Sequence, residues 1–156
     1  MRLHICAVGR LRKGPERALI DDYLARFNRT GRALSLGPCE EHEVEDRKAP
    51  SPVAQAPLLA RAIPDGAHVV ALDERGDTLS SPAFAQLLAD TRDTGARDMA
   101  FVIGGADGLD HDIRASANTV LSLSTMVWPH ILARVMLAEQ VYRAATILAG
   151  SPYHRA

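Results

Sequence analysis

The run Met99-Ala100-Phe101-Val102-Ile103 contains no polar residue and ends in Gly104-Gly105. An apolar strand without alternation is buried on both faces, the mark of a parallel sheet covered by helices on each side. Further strands are read at Leu3–Val8, at His68–Leu72 and in a segment ending near Leu123. Helical signals fall between them. Gly14-Pro15 opens a helix with proline at the first helical position, and Leu19, Ile20, Tyr23, Leu24 and Phe27 make its apolar stripe before Gly31. Ser80-Ser81-Pro82 caps a second helix, whose Phe84, Leu87 and Leu88 face the core and which stops at Gly95. A short helix is read from Asp110 to Ala117. A long one runs from about His130 to about Ala149, with Ile131, Val135, Ala138, Tyr142 and Ala145 on its apolar face. This alternation predicts an α/β fold: one domain over residues 1–156, with a mostly parallel sheet and helices on both faces.

Three stretches are less regular. Ala33–Leu36 reads as a short second strand. Residues 37–57 carry the acidic run Glu40, Glu41, Glu43, Glu45 and Asp46 together with four prolines, and read as a loop leading into a helix of Pro57–Ile63. Asp73-Glu74-Arg75-Gly76-Asp77 reads as a polar turn bearing solvated carboxylates.

Composition removes several function classes. Cys6 and Cys39 are too few for a disulfide framework, and Cys6 lies in an apolar strand as a small buried hydrophobe. The six histidines lack ligand spacing along the chain, so no structural zinc and no metal site is expected. No apolar run is long enough for a signal peptide or membrane helix, which predicts a cytoplasmic protein without a membrane partner. The net charge of −1 says nothing about nucleic acid, but its distribution does. Arg2, Arg10, Arg12, Lys13, Arg17, Arg26, Arg29 and Arg32 crowd the N-terminal segment, suited to meeting phosphates or equally to a solvated helix face. With only 4% aromatic residues, any RNA contact must rest on phosphates and shape rather than stacked bases.

In an open α/β sheet, ligands sit beyond the carboxyl ends of the strands. Three strand ends qualify: Leu72-Asp73, Ile103-Gly104-Gly105 and Leu123 to Trp128. Gly104, Gly105 and Gly108 match neither the dinucleotide fingerprint nor the P-loop, which disfavours nicotinamide and nucleoside-triphosphate chemistry. No nucleophile elbow and no zinc-protease motif is present. The segment Leu121 to His130 offers short hydroxyls at Ser122, Ser124 and Thr125, apolar walls, and a helix N-terminus after Pro129. That is either a small-ligand loop or an ordinary connection. The tail Ser151-Pro152-Tyr153-His154-Arg155-Ala156 combines a phenol, an imidazole and a guanidinium where a frayed end is the default.

These motifs together resemble a known family. Phe101 to Gly108, Leu121 to His130, Arg134, Glu139 to Ala144 and Pro152 to Arg155, in that order, are similar to the ribosomal RNA large subunit methyltransferase H family of the SPOUT class. The likeness covers nearly the whole chain, including Ala7-Val8-Gly9 and the Leu72 to Phe84 segment. It departs at Ile131 and in the acid- and proline-rich residues 37–57. The resemblance implies a C-terminal trefoil knot and a homodimer that uses the last helix. It also implies S-adenosylmethionine-dependent methylation of N3 of a pseudouridine in large-subunit (23S) rRNA. Cofactor binding is expected at Leu72, Gly104, Leu123, Ser124, Thr125, Met126, Val127 and Trp128. His130, Tyr153, His154 and Arg155 are expected on the target side, with His154 as general base or Arg155 stabilising a developing anion. The absence of a separate RNA-binding domain favours an assembled ribosome as substrate. A tRNA methyltransferase and a non-catalytic ribosome-binding module are the alternatives.

Overall fold

The computed structural model describes residues 1–45 and 47–155, so Asp46 of the acidic run lies outside the described residues. Five strands form one parallel sheet in the order β2-β1-β4-β3-β5. They are β1 (Arg2–Val8), β2 (Cys39–Val44), β3 (His68–Thr78), β4 (Asp98–Ile103) and β5 (Thr119–Ser122). Every residue of β4 is buried, as its unbroken apolar run requires. The helices are α1 (Pro15–Gly31), α2 (Pro52–Ala62), α3 (Ser81–Asp93), α4 (His111–Ser116) and α5 (His130–Leu148).

Strand alternation divides the core in two. Leu3, Ile5, Met99, Phe101 and Val70 point to one face, where α1, α3 and α5 cover them through Ile20, Phe27, Leu88, Leu137 and Val141. Cys6, Val8, Ala100 and Val102 point to the other, where Leu59 of α2 and Ile113 of α4 close over them. Full burial of each such side chain contributes about 1.5–3 kcal/mol. Cys6 is the small buried hydrophobe expected of it: its thiol donates to the Ala62 carbonyl at 3.3 Å, and burial pushes its pKa up to about 12.

The structure corrects four expectations. Residues 33–36 do not form a strand: Arg32–Leu34 is a 3₁₀ turn extending α1, capped where Ser35 adopts the left-handed conformation (φ 56°). The second strand lies instead in the acidic run, as β2. Its carboxylates are neutralised from the helical face, Glu41 by Arg17 and Arg134 and Glu43 by Arg134, so charge patterning concealed an edge strand. The following helix starts at Pro52 rather than Pro57, because the Ser51 hydroxyl accepts from the Ala54 N–H at 3.3 Å and Pro52 occupies the first turn. Pro57 is tolerated inside it. The polar turn after Leu72 is a bulge within β3: Leu121 of β5 pairs first with Leu72 and then with Asp77. Gly76 permits this close crossing, since a Cβ there would lie 2.6 Å from the Val120 carbonyl oxygen.

The buried stripe of α5 is also rotated from the sequence reading. Ala138 and Ala145 are in the core as expected, but Arg134, Leu137, Val141 and Ala144 complete it, because α5 is wedged between α1 and α3. Val135 and Tyr142 are only partly buried at its edges.

Candidate active site

A cleft of about 570 Å³ opens at the carboxyl ends of β3, β4 and β5. Its lining includes Leu72, Gly104, Leu123, Ser124, Met126, Val127 and Trp128, together with His130. Seven of the eight expected cofactor residues therefore converge from three separate strand ends; Thr125 is the exception, on the same loop but not in the cleft wall. Parallel strands place their carboxyl ends on one side of the sheet, so residues distant in sequence meet there.

Local chemistry shapes each wall. At Gly104 a Cβ would overlap the Gly108 carbonyl and stand 2.8 Å from the Leu109 nitrogen. Gly108 takes φ 79° and returns an N–H to the Gly105 carbonyl at 3.1 Å, closing a tight turn. The 123–129 loop is braced by its own hydroxyls. Ser122 Oγ donates to the Ser124 carbonyl at 2.7 Å, and the Met126 N–H donates to Ser124 Oγ at 2.9 Å. That bracing holds Met126 and Val127 outward, 66% and 76% exposed, with Trp128 at 39%. Three adjacent large apolar side chains held in water at the rim of a cleft are suited to an apolar ligand or a second protein surface.

Asp73 belongs to this site although the sequence reading treated it as solvated. Its side chain is only 4% exposed, accepts from the Arg75 N–H at 3.0 Å and faces Arg114 at 3.4 Å. The strand end Leu72-Asp73 was legible as part of the crevice, but the burial of this carboxylate was not, because the bulge of β3 that turns it inward is a tertiary feature.

His130, the first residue of α5, also lines a second, basic hollow of about 310 Å³. Arg10 and Arg12 of the basic loop, Arg47 and Arg134 also line that hollow, together with the acidic Glu45, which lies 3.8 Å from Arg10. Arg134 is 1% exposed and holds the loop in place, donating to the Gly9 carbonyl at 2.8 Å, the Val8 carbonyl at 3.1 Å and the Glu43 carboxylate at 2.8 Å. Glu43 in turn accepts from the Leu11 N–H at 2.8 Å. Arg134→Met is expected to cost about 3 kcal/mol by urea unfolding, the lower end for a broken buried pair, because Glu43 keeps access to water. A loss below about 1 kcal/mol would show that the loop does not depend on this guanidinium.

The tail is docked rather than frayed. Tyr153 donates to Glu139 Oε1 at 3.0 Å and packs on Tyr142 with ring centroids 4.8 Å apart. Burial and that acceptor hold its phenol well above the usual tyrosine range, so it stays protonated. Arg143 clamps Glu139 at 2.6 Å, lies over the Tyr153 ring at 4.9 Å and approaches His154 Nδ1 at 3.4 Å. Arg155 is exposed. The expected target-side residues thus form two groups, His130 at the start of α5 and a tail that folds back along the same helix. Tyr153 reaches Glu139 and His154 reaches Arg143, nine and thirteen residues after His130, on the order of 14 and 20 Å along the axis.

A family model described as a predicted SPOUT methyltransferase matches residues 1–154. Proteins named ribosomal RNA large subunit methyltransferase H are similar over 99% of both chains: 63% identical in Ruegeria sp. (strain TM1040), 64% in Dinoroseobacter shibae and 65% in Roseobacter denitrificans. The chain belongs to the ribosomal RNA large subunit methyltransferase H family. Two solved structures share its fold. TrmJ from Z. mobilis aligns with a TM-score of 0.57 at 18% identity, over 92% of this chain and 70% of that one. A probable methylase family protein from Haemophilus influenzae aligns at 0.53 and 11% identity, over 99% and 70%. As a member of the methyltransferase H family, the chain has a SPOUT-class fold. The cleft's chemistry fits S-adenosylmethionine: a glycine turn admits a flat adenine against backbone, and apolar walls suit the ribose-to-sulfonium stem. Among the described residues, no helix is long and apolar enough to cross a membrane.

Proposed function

We propose that this protein methylates N3 of a pseudouridine in large-subunit ribosomal RNA from S-adenosylmethionine, on the assembled ribosome, as a homodimer. The observation that carries the reading is the position of His130, which lines both the apolar cleft and the basic hollow. A donor on one side and a phosphate-bearing acceptor on the other would meet at that residue. The names of the close relatives support ribosomal RNA as acceptor.

The dimer follows from the separation along α5. His154 stands on the order of 20 Å from His130 along α5, too far to share one acceptor within a chain, and two chains with α5 antiparallel would bring the tail of each to the cleft of the other. Leu19, Leu79 and Leu132, exposed at 45%, 41% and 39%, would supply apolar area for that contact. The close crossing at Gly76 is consistent with a trefoil knot in the C-terminal half.

S-adenosylmethionine supplies an electrophilic methyl group on a sulfonium. Leu72 and Leu123 would wall it from water, with Met126 at the rim, and the turn at Gly104 with the 123–128 loop would orient it. On the acceptor side an N3–C bond would replace the S–C bond, and the N3 proton would have to leave. Arg143 can only donate, so Nδ1 of neutral His154 accepts and Nε2 carries the proton. That favours His154 as a donor, beside Arg155, to the ring carbonyls flanking N3, where anionic charge gathers as the proton passes to water.

The test uses labelled S-adenosylmethionine with ribosomes from cells lacking the modification, beside free rRNA, rRNA without pseudouridine, and tRNA. Label is expected only in large-subunit rRNA from assembled ribosomes containing pseudouridine. Label in tRNA would replace the substrate. No label together with no cofactor binding by calorimetry would replace the enzyme with a binding module.

A further inference from the structure

The end of the sheet opposite the cleft gathers a second cluster that methyl transfer does not use. In the parallel register His4 stands beside Glu40 and Cys6 beside His42, so two rungs of β1 and β2 present His4, Glu40 and His42 on the face covered by α2. His4 is only 4% exposed. Its Nδ1 lies 3.0 Å from His42 Nε2, and the two rings stack with centroids 5.2 Å apart. One ligand atom from each of His4, His42 and Glu40 falls within 4.8 Å of the others.

The group behind His4 is already arranged for a ligand. His4 Nε2 lies 2.8 Å from Asp98 Oδ1, and Arg2 clamps both Asp98 oxygens at 2.7 and 2.9 Å. Paired with a guanidinium, that carboxylate is an acceptor, so Nε2 holds the imidazole proton and the Nδ1 lone pair faces His42. A carboxylate fixing the tautomer of a buried histidine in this way is the usual outer support of a metal-binding imidazole. The spacing fits as well. Two nitrogens each about 2.05 Å from one tetrahedral ion stand about 3.3 Å apart, so His42 at the sheet edge would withdraw by a few tenths of an ångström.

We propose that His4, His42 and Glu40 bind one divalent d-block cation, Zn²⁺ foremost, which clamps the edge strand β2 to β1. Two imidazoles and one carboxylate suit zinc and disfavour magnesium or calcium. Glu40 and Asp98 outweigh Arg2, leaving the site net negative. The exposed side of Glu40 leaves a fourth position to water. The expectation of no metal rested on spacing along the chain, and His4 and His42 are brought together only by the parallel pairing. The opposite face of β2 carries Glu41 and Glu43, which hold Arg134, so pinning this strand also steadies the basic hollow.

The test is calorimetry and thermal unfolding of the full-length protein after chelation, titrated with ZnCl₂, MgCl₂ and CoCl₂. One Zn²⁺ per chain is expected, with a Kd of about 1 µM or tighter. At a hundredfold excess over Kd the unfolding midpoint should rise by on the order of 5–10 °C, and Mg²⁺ should leave it unchanged. Co²⁺ should give visible absorption of tetrahedral intensity. His42→Gln and Glu40→Gln, both at the sheet edge, should fold with the wild-type circular dichroism spectrum and weaken Zn²⁺ about 100-fold and 10-fold. The proposal is overturned by the absence of saturable Zn²⁺ binding below about 100 µM, or by wild-type affinity in His42→Gln. Neither readout depends on methyl transfer, so the proposed reaction stands or falls separately.

Discussion

Gly104→Val is expected to weaken S-adenosylmethionine binding by about 100-fold or more and to reduce methyl transfer in proportion, while the chain still folds. The added side chain would collide with backbone, not with a side chain able to rotate: the Gly108 carbonyl and the Leu109 nitrogen at 2.8 Å from the Cβ alone. The 104–108 turn must therefore open, and it forms one wall of the cleft. Because β4 ends at Ile103, the strain falls outside the sheet and should cost about 1–3 kcal/mol. Calorimetric titration with S-adenosylmethionine and a urea melt separate the two effects. A variant that binds the cofactor normally would remove the turn from the site.

The second large effect belongs to the tail. His154→Ala and Arg155→Ala are each expected to lower the methylation rate by about 100-fold or more and to leave cofactor affinity within about twofold. Neither residue lines the cleft of its own chain, and His154 sits beside Arg143, thirteen residues along α5 from His130, so cofactor affinity should be spared. On the proposed reaction their contribution would be to the transition state, where anionic charge develops on the acceptor ring. The rate profile distinguishes their roles. If His154 donates from Nε2, the rate rises with pH toward loss of the N3 proton itself, and His154→Gln, which retains an N–H donor, recovers part of the activity. A rate limited by deprotonated imidazole, with nothing recovered by glutamine, would make His154 the general base instead.

The cleft was legible because its residues sit at strand ends, and strand ends are marked by local features: an apolar run, then glycine or a polar residue. Leu72, Gly104 and Leu123 are each recognisable without knowing the others, and parallel pairing alone brings them together. What stayed hidden depended on pairing between distant charges. Glu41 and Glu43 read as part of an acidic loop, whereas Arg17 and Arg134, from two different helices, neutralise them and allow β2 to form. Arg134 followed the same rule in reverse: a charged residue on an otherwise apolar stripe, fully buried because two carbonyls and a carboxylate receive it. Asp73 was misread because a bulge, not a turn, follows Leu72. Docking of the tail rests on Glu139, four residues before Arg143 and fourteen before Tyr153, a combination that no periodicity reveals.

The most direct test of the account is a subunit-mixing experiment with His130→Ala and Arg155→Ala. Each variant alone should be nearly inactive. Unfolded together and refolded as a mixture, half the dimers should be mixed, and each mixed dimer regains one intact site if the tail acts across the interface. The mixture should therefore recover about one quarter of wild-type methylation. A mixture as inactive as its two components would show that His130 and Arg155 serve the same site from one chain, and would contradict the two-subunit active site.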